Sequence, residues 1–199
     1  MMERSSRFIS LSGLSGVFAG VFALIGASVA YSHFNVSLTS SFDEIYLRAY
    51  DASGNVESSF LNFFLTEALC VLLASLLAGF LLTRRKANKQ GITLWDHTSK
   101  RMMINLLIPL ITGGIFCLVM LDQHQVDLIA PVTLIFYGLA LLNAGKYTLD
   151  DIRQLGIAEI IVGLIACFNT GYGLLFWSLG FGLLHIGYGT LMYFRYERN

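Results

Sequence analysis

The sequence predicts an all-α polytopic membrane protein, a compact bundle of about six transmembrane helices with both termini cytoplasmic. Three observations predict it. The composition asks for lipid as solvent: 55% of the 199 residues are apolar, mean hydropathy is +0.66 and only 13% are charged, where a soluble domain carries about 25%. Six apolar runs, near 12–34, 59–83, 102–121, 128–145, 153–170 and 173–194, each reach across about 30 Å of hydrocarbon at about 1.5 Å per residue, the fourth and fifth being close to the minimum. They must be helices, since a backbone in lipid has to satisfy its own polar groups. The third observation is the sign of the charge between the runs, which alternates and fixes an orientation.

The first span follows Arg4 and Arg7 and carries Gly13, Gly16, Gly20, Ala23, Ala27 and Ala30 at steps of three and four. That stripe of small residues lets another helix approach closely. The same start, with "ASVAYS" after the apolar run, also has the layout of a cleaved signal peptide ending at Ser28-Val29-Ala30. The length and glycine patterning of the run favour its retention as a span. Segment 35–58 holds Asp43, Glu44, Asp51 and Glu57 against Arg48, which makes it an outer loop. Its "FDEIYLRAY" mixes aromatic and charged positions, as a short interfacial helix does.

The second span contains "FLTEALCVLLA", with Glu67 on one face with Cys70, Ala74 and Ala78. After it comes a basic loop, 84–101, in which Arg84, Arg85, Lys86, Lys89, Lys100 and Arg101 outnumber Asp96. Such a loop stays cytoplasmic and can meet anionic headgroups. Pro109 lies inside the third span and predicts a kink. The loop at 122–127, with Asp122, His124 and Asp127, returns to the outer side. A weak cation site there competes with a plain reading as solvated side chains. Pro131 suits the first turn of the fourth span, where a missing N–H costs little.

The nearly neutral loop 146–153 leads to the fifth span, where Glu159 shares a face with Gly156, Gly163 and Ala166. "CFNTGYG" then makes a tight outer hairpin, with Asn169, Thr170 and Tyr172 placed either to cap exposed helix ends or to line an entry point. In the last span Gly173, Gly180 and Gly187 fall seven apart, as do Gly182 and Gly189, and His185 sits between Gly182 and Gly189. Gly16, Gly20, Gly180, Gly182, Gly187 and Gly189 are therefore the predicted helix-packing positions. With no linker to divide it, 1–199 reads as a single domain, and the surplus of glycine faces leaves room for a homo-oligomer or a membrane-complex partner.

Function is bounded mainly by exclusion. CxxC, HExxH, GxGxxG, Walker-type lysine loops and GxSxG do not occur, so no cofactor or metal is expected on motif grounds. Cys70, Cys117 and Cys167 lie in apolar runs and read as small hydrophobes. The 13 basic and 13 acidic residues cancel, which gives no footprint for nucleic acid. What stands out is three ionisable groups at membrane depth: Glu67 about 6 Å outward of the midplane, Glu159 about 4 Å inward and His185 near the centre. A charge at that depth costs about 3 kcal/mol even on insertion scales, so each group must be neutral, paired or wet. Together they form a candidate intramembrane proton or cation site. The favoured reading is a scaffold or accessory subunit, with Glu67, Glu159 and His185 as interhelical ties. The second is a proton- or cation-coupled small transporter, and the third an enzyme acting on lipid or quinone.

Overall fold

The computed structural model describes residues 12–35, 49–91 and 95–198. Among them are six long helices: α1 (Gly13–Phe34), α2 (Ser58–Gln90), α3 (His97–Asp122), α4 (Ile129–Ala144), α5 (Asp150–Cys167) and α6 (Thr170–Tyr196). Five are long and apolar enough to cross a membrane. The sixth, α5, has 18 residues, or about 27 Å, and owes its lower hydropathy to Asp150, Asp151, Arg153 and Glu159. An all-α bundle of a multi-pass membrane protein is thus the architecture. The segment "FDEIYLRAY" falls almost wholly outside the described residues.

Local chemistry sets the boundaries. Asn35, at φ 52°, ends α1, and Gly91, at φ 65°, ends α2; each donates its N–H back to carbonyls of the last turn, and the left-handed conformation is cheapest for glycine and asparagine. A capping box opens α3: the Asp96 carboxylate accepts from the Ser99 N–H at 2.7 Å, and the Ser99 hydroxyl accepts from the Asp96 N–H at 3.0 Å. Pro131 occupies the first turn of α4, and α3 continues through Pro109 as one helix. The basic stretch 84–101 differs from expectation. It is mostly helix, because α2 runs on to Gln90 and α3 begins at His97, and Arg, Lys, Ala and Gln are good helix formers with no breaker before Gly91.

Successive helices run up and down, so the described chain ends meet at one end of the bundle. There Glu197 accepts from the Gly13 N–H at 2.5 Å and from the Ser12 hydroxyl at 3.2 Å, and pairs with Lys86 at 3.2 Å. A residue from the end of α6 thereby caps α1 and ties in α2. At the opposite end an apolar cluster of Ala27, Ala30, Phe34, Phe60, Val126 and Leu174 fills the core. Phe34 stacks on Phe64 there, and Tyr50 donates to the His124 carbonyl oxygen at 2.5 Å. The 49–57 segment above it is held by Asp51, which accepts from the Asn55 and Ser53 N–H groups; those bonds hold its carboxyl below the usual carboxylate range.

Two glycine seams organise the interior. On α1 and α6, a Cβ at Gly20 would lie 2.5 Å from the Gly182 carbonyl oxygen, and one at Gly189 would lie 2.6 Å from the Val17 nitrogen. Backbones this close explain why Gly13, Gly16, Gly20 and Gly189 have no side chain, and at Gly182 the space is taken by the Leu24 side chain. On α4 and α5, Gly138 and Gly156 face each other's carbonyl oxygens in the same way. The outermost helices are α2, packed on α1, and α3, packed on α4; consecutive in the chain, they share no packed interface among the described residues. Leu72, Leu73, Leu76 and Leu77 of α2 are all more than half exposed. In a bilayer that surface belongs to lipid.

Candidate functional site

Between the Phe34 cluster and a second one of Leu141, Leu149, Ile152, Leu155 and Met192, α4, α5 and α6 bring three polar side chains together. His185 (5% exposed) and Glu159 (0%) are fully enclosed, with His185 Nδ1 3.2 Å from Glu159 Oε1. On its other side the ring meets Tyr137, whose hydroxyl lies 2.8 Å from Nε2. Nδ1 is also 3.1 Å from the Gly180 carbonyl oxygen. Both Glu159 oxygens are buried without a hydrogen-bond partner. Close in distance yet unpaired in geometry, the carboxyl keeps its capacity to accept.

The local fold explains the convergence. Residues Ser178–Leu184 of α6 form a π-helical segment, flanked by α-helical Gly173–Trp177 and His185–Tyr196. Single π turns recur at functional sites, where the wider i→i+5 register reorients side chains. Gly180 lies in this segment pressed against Glu159 Oε2 and Leu134, and a Cβ there would displace both. Phe181 packs with tilted rings against Tyr137, at 4.9 Å between centroids, and Trp177, at 5.1 Å. An aromatic column thus runs from the Tyr137–His185 contact toward the cluster at the Phe34 end.

A second charged group lies on the same helices at the end where Gly13 meets Glu197. Asp151, 1% exposed, sits in the first turn of α5, where the helix dipole favours an anion. It accepts from Arg195 at 2.8 Å and from the Tyr196 hydroxyl at 2.8 Å. The ionisable residues of the bundle interior are therefore His185 beside Glu159 between the bundle ends, and Asp151, paired with the half-exposed Arg195, at one end. Spacing had not marked Tyr137, Asp151 or Arg195: the first is one tyrosine in an apolar run, and the others read as loop and tail charges.

Glu67 does not join this group. It is half-buried in the α1–α2 contact, where Gly26 has no Cβ and leaves space for Oε1, and that oxygen is buried without a partner. Gly26 and Gly20 point about 120° apart around α1, so α1 stands between Glu67 and α6. At the outer hairpin the Asn169 side chain donates to the Ile165 carbonyl oxygen at 2.9 Å, and the Tyr172 N–H bonds the Asn169 carbonyl oxygen at 3.0 Å. Thr170 starts the 3₁₀ turn that opens α6, and Tyr172 ends it exposed. Among the glycines, Gly187 faces open space. His33 stacks on Phe63 at 4.2 Å and His124 takes φ 57° in its turn.

No protein-family model, curated protein or solved structure matches the chain.

Proposed function

We propose that the protein is a proton-coupled small membrane transporter in which Glu159 and His185 take up and release the coupling proton. The observation that carries this reading is the enclosed pair itself: a carboxyl with two buried, unbonded oxygens 3.2 Å from an imidazole nitrogen. A packing tie needs its polar atoms satisfied, because an unmade hydrogen bond in low dielectric is expensive. A proton site needs the reverse, an acceptor held ready beside a group that can share the load. The scaffold reading rests on the glycine seams, which any close-packed membrane bundle requires. In our reading the end with Arg84, Arg85, Lys86, Lys89, Lys100 and Arg101 faces the cytoplasm and its anionic headgroups, which puts both termini inside.

The test is electrical. Proteoliposomes adsorbed on a solid-supported membrane are given a pH step; a proton reaching mid-depth crosses part of the membrane field and produces a transient current. Wild-type protein is expected to give that current, and Glu159→Gln to reduce it about tenfold or more. A carboxyl sealed from both aqueous phases gives none. Currents equal to those of protein-free vesicles, or unchanged in Glu159→Gln, would reject the proposal.

A further inference from the structure

We infer that the Gly180 carbonyl and the Glu159 carboxylate compete for the single proton on Nδ1 of His185, and that Tyr137 is the positioning residue that keeps the proton there. The inference rests on the proton-handling reading of this site and gives it a mechanism for reaching the backbone.

The geometry fixes the starting state. Nδ1 lies 3.1 Å from the Gly180 oxygen and 3.2 Å from Glu159 Oε1. A carbonyl oxygen can only accept, so Nδ1 carries a hydrogen. A neutral ring has one such hydrogen, which leaves Nε2 bare, and the Tyr137 O–H, 2.8 Å away, donates to it. With the Nδ1–H given to Gly180, neither Glu159 oxygen has a donor. A carboxylate anion fully enclosed and unbonded is not tolerated, so in this arrangement Glu159 holds its own proton.

Release of that proton changes which acceptor wins. The carboxyl O–H bond breaks, its proton leaves to the aqueous phase, and an anion remains 3.2 Å from Nδ1. A charge-assisted N–H···O⁻ bond is roughly twice as strong as a neutral one, so the ring N–H re-aims from Gly180 to Glu159 Oε1. One hydrogen bond breaks and one forms; the ring proton stays on Nδ1 and Tyr137 still donates to Nε2. The helices packed here bring few other titratable groups: α4 supplies Tyr137, α5 supplies Glu159, and α1 meets Gly182 with Gly20 and Leu24.

The Gly180 carbonyl thus gains or loses a side-chain donor according to the proton load on Glu159. It lies within the π-helical segment Ser178–Leu184, a kind of turn that recurs at functional sites. Beyond that segment α6 carries Arg195, bound to Asp151, and leads into Glu197, bound to Lys86 and to the start of α1. A change of register at Gly180 would be felt at both contacts.

The test reads the ring and the carbonyl by magnetic resonance in bilayers, with 15N-histidine and 13C-carbonyl glycine labels and His185→Gln to assign the signals. Infrared difference spectra against Glu159→Gln follow the carboxyl. Wild type is expected to show the Nδ1–H tautomer, with the Nδ1 and Gly180 carbonyl signals shifting together as Glu159 titrates. Glu159→Gln, which cannot ionise, should hold both signals fixed, and Tyr137→Phe should admit the Nε2–H tautomer. Three results overturn the inference: an Nε2–H ring in wild type, signals that stay still while Glu159 titrates, or a Glu159 that keeps one state from about pH 5 to about pH 8. A current without the switch would reject this inference alone, and no current at all would reject the transport reading together with it.

Discussion

Gly180 is the position where Glu159 and α6 touch with no side chain between them. A branched side chain there runs into Glu159 Oε2 and Leu134, so Gly180→Val should destabilise the protein by about 1–3 kcal/mol. Gly187→Ala is the matched control, since Gly187 faces open space on the same helix, and its thermal midpoint in detergent should stay at or slightly above wild type. Asp96 gives a residue-scale prediction with a pH sign. Hydrogen bonds from the Ser99 side chain and backbone hold its carboxyl below the usual range. Its folded value being the lower one, the cap stabilises at pH above the unfolded value and is lost as pH falls through the folded value. Asp96→Ala should therefore cost about 1 kcal/mol at neutral pH, with the difference shrinking on acidification, read from amide exchange in the first turn of α3.

At the scale of elements, the α1–α6 seam is the contact most exposed to single substitutions. Gly189 faces the Val17 nitrogen and the Gly13 oxygen, so Gly189→Leu forces two backbones apart and should cost more than Gly180→Val, checked by the same melts. Much of this level was legible in the sequence. The six helices lie within a few residues of the apolar runs, except where α2 extends into the basic stretch, because helix-forming charged residues do not end a helix merely by leaving the apolar phase. Gly16, Gly20, Gly182 and Gly189 could be read as packing positions because their spacings keep one face. Gly187 could not be separated from Gly180, because counting by sevens presumes α-helical phase throughout, and the π-helical turns of Ser178–Leu184 break that phase. Gly138 gave no signal, since its counterpart Gly156 is on another helix. The His185–Glu159 pair was visible as two polar residues at similar depth, but Tyr137 is 48 residues from His185, and no periodicity links positions on different helices.

Among the described residues of the whole molecule, the buried ionisable groups Asp151, Glu159 and His185 lie along α5 and α6 while α2 and α3 present apolar surface outward. Glu67, expected with the central pair, is separated from α6 by α1. Glu67→Gln should therefore leave the His185 ring tautomer unchanged, a result the same nitrogen spectra would show. Among the described residues α2 and α3 share no packed interface, which has a covalent counterpart. The peptide bonds between Gly91 and Trp95 join two helices that do not lean on each other, while α1 and α6, from opposite ends of the chain, are backbone to backbone. Severing the chain there should thus yield two separately synthesised pieces that find each other in the bilayer, so that an affinity tag on one piece recovers both. Recovery of both would show that α1–α2 and α3–α6 can associate as docked partners without a continuous chain.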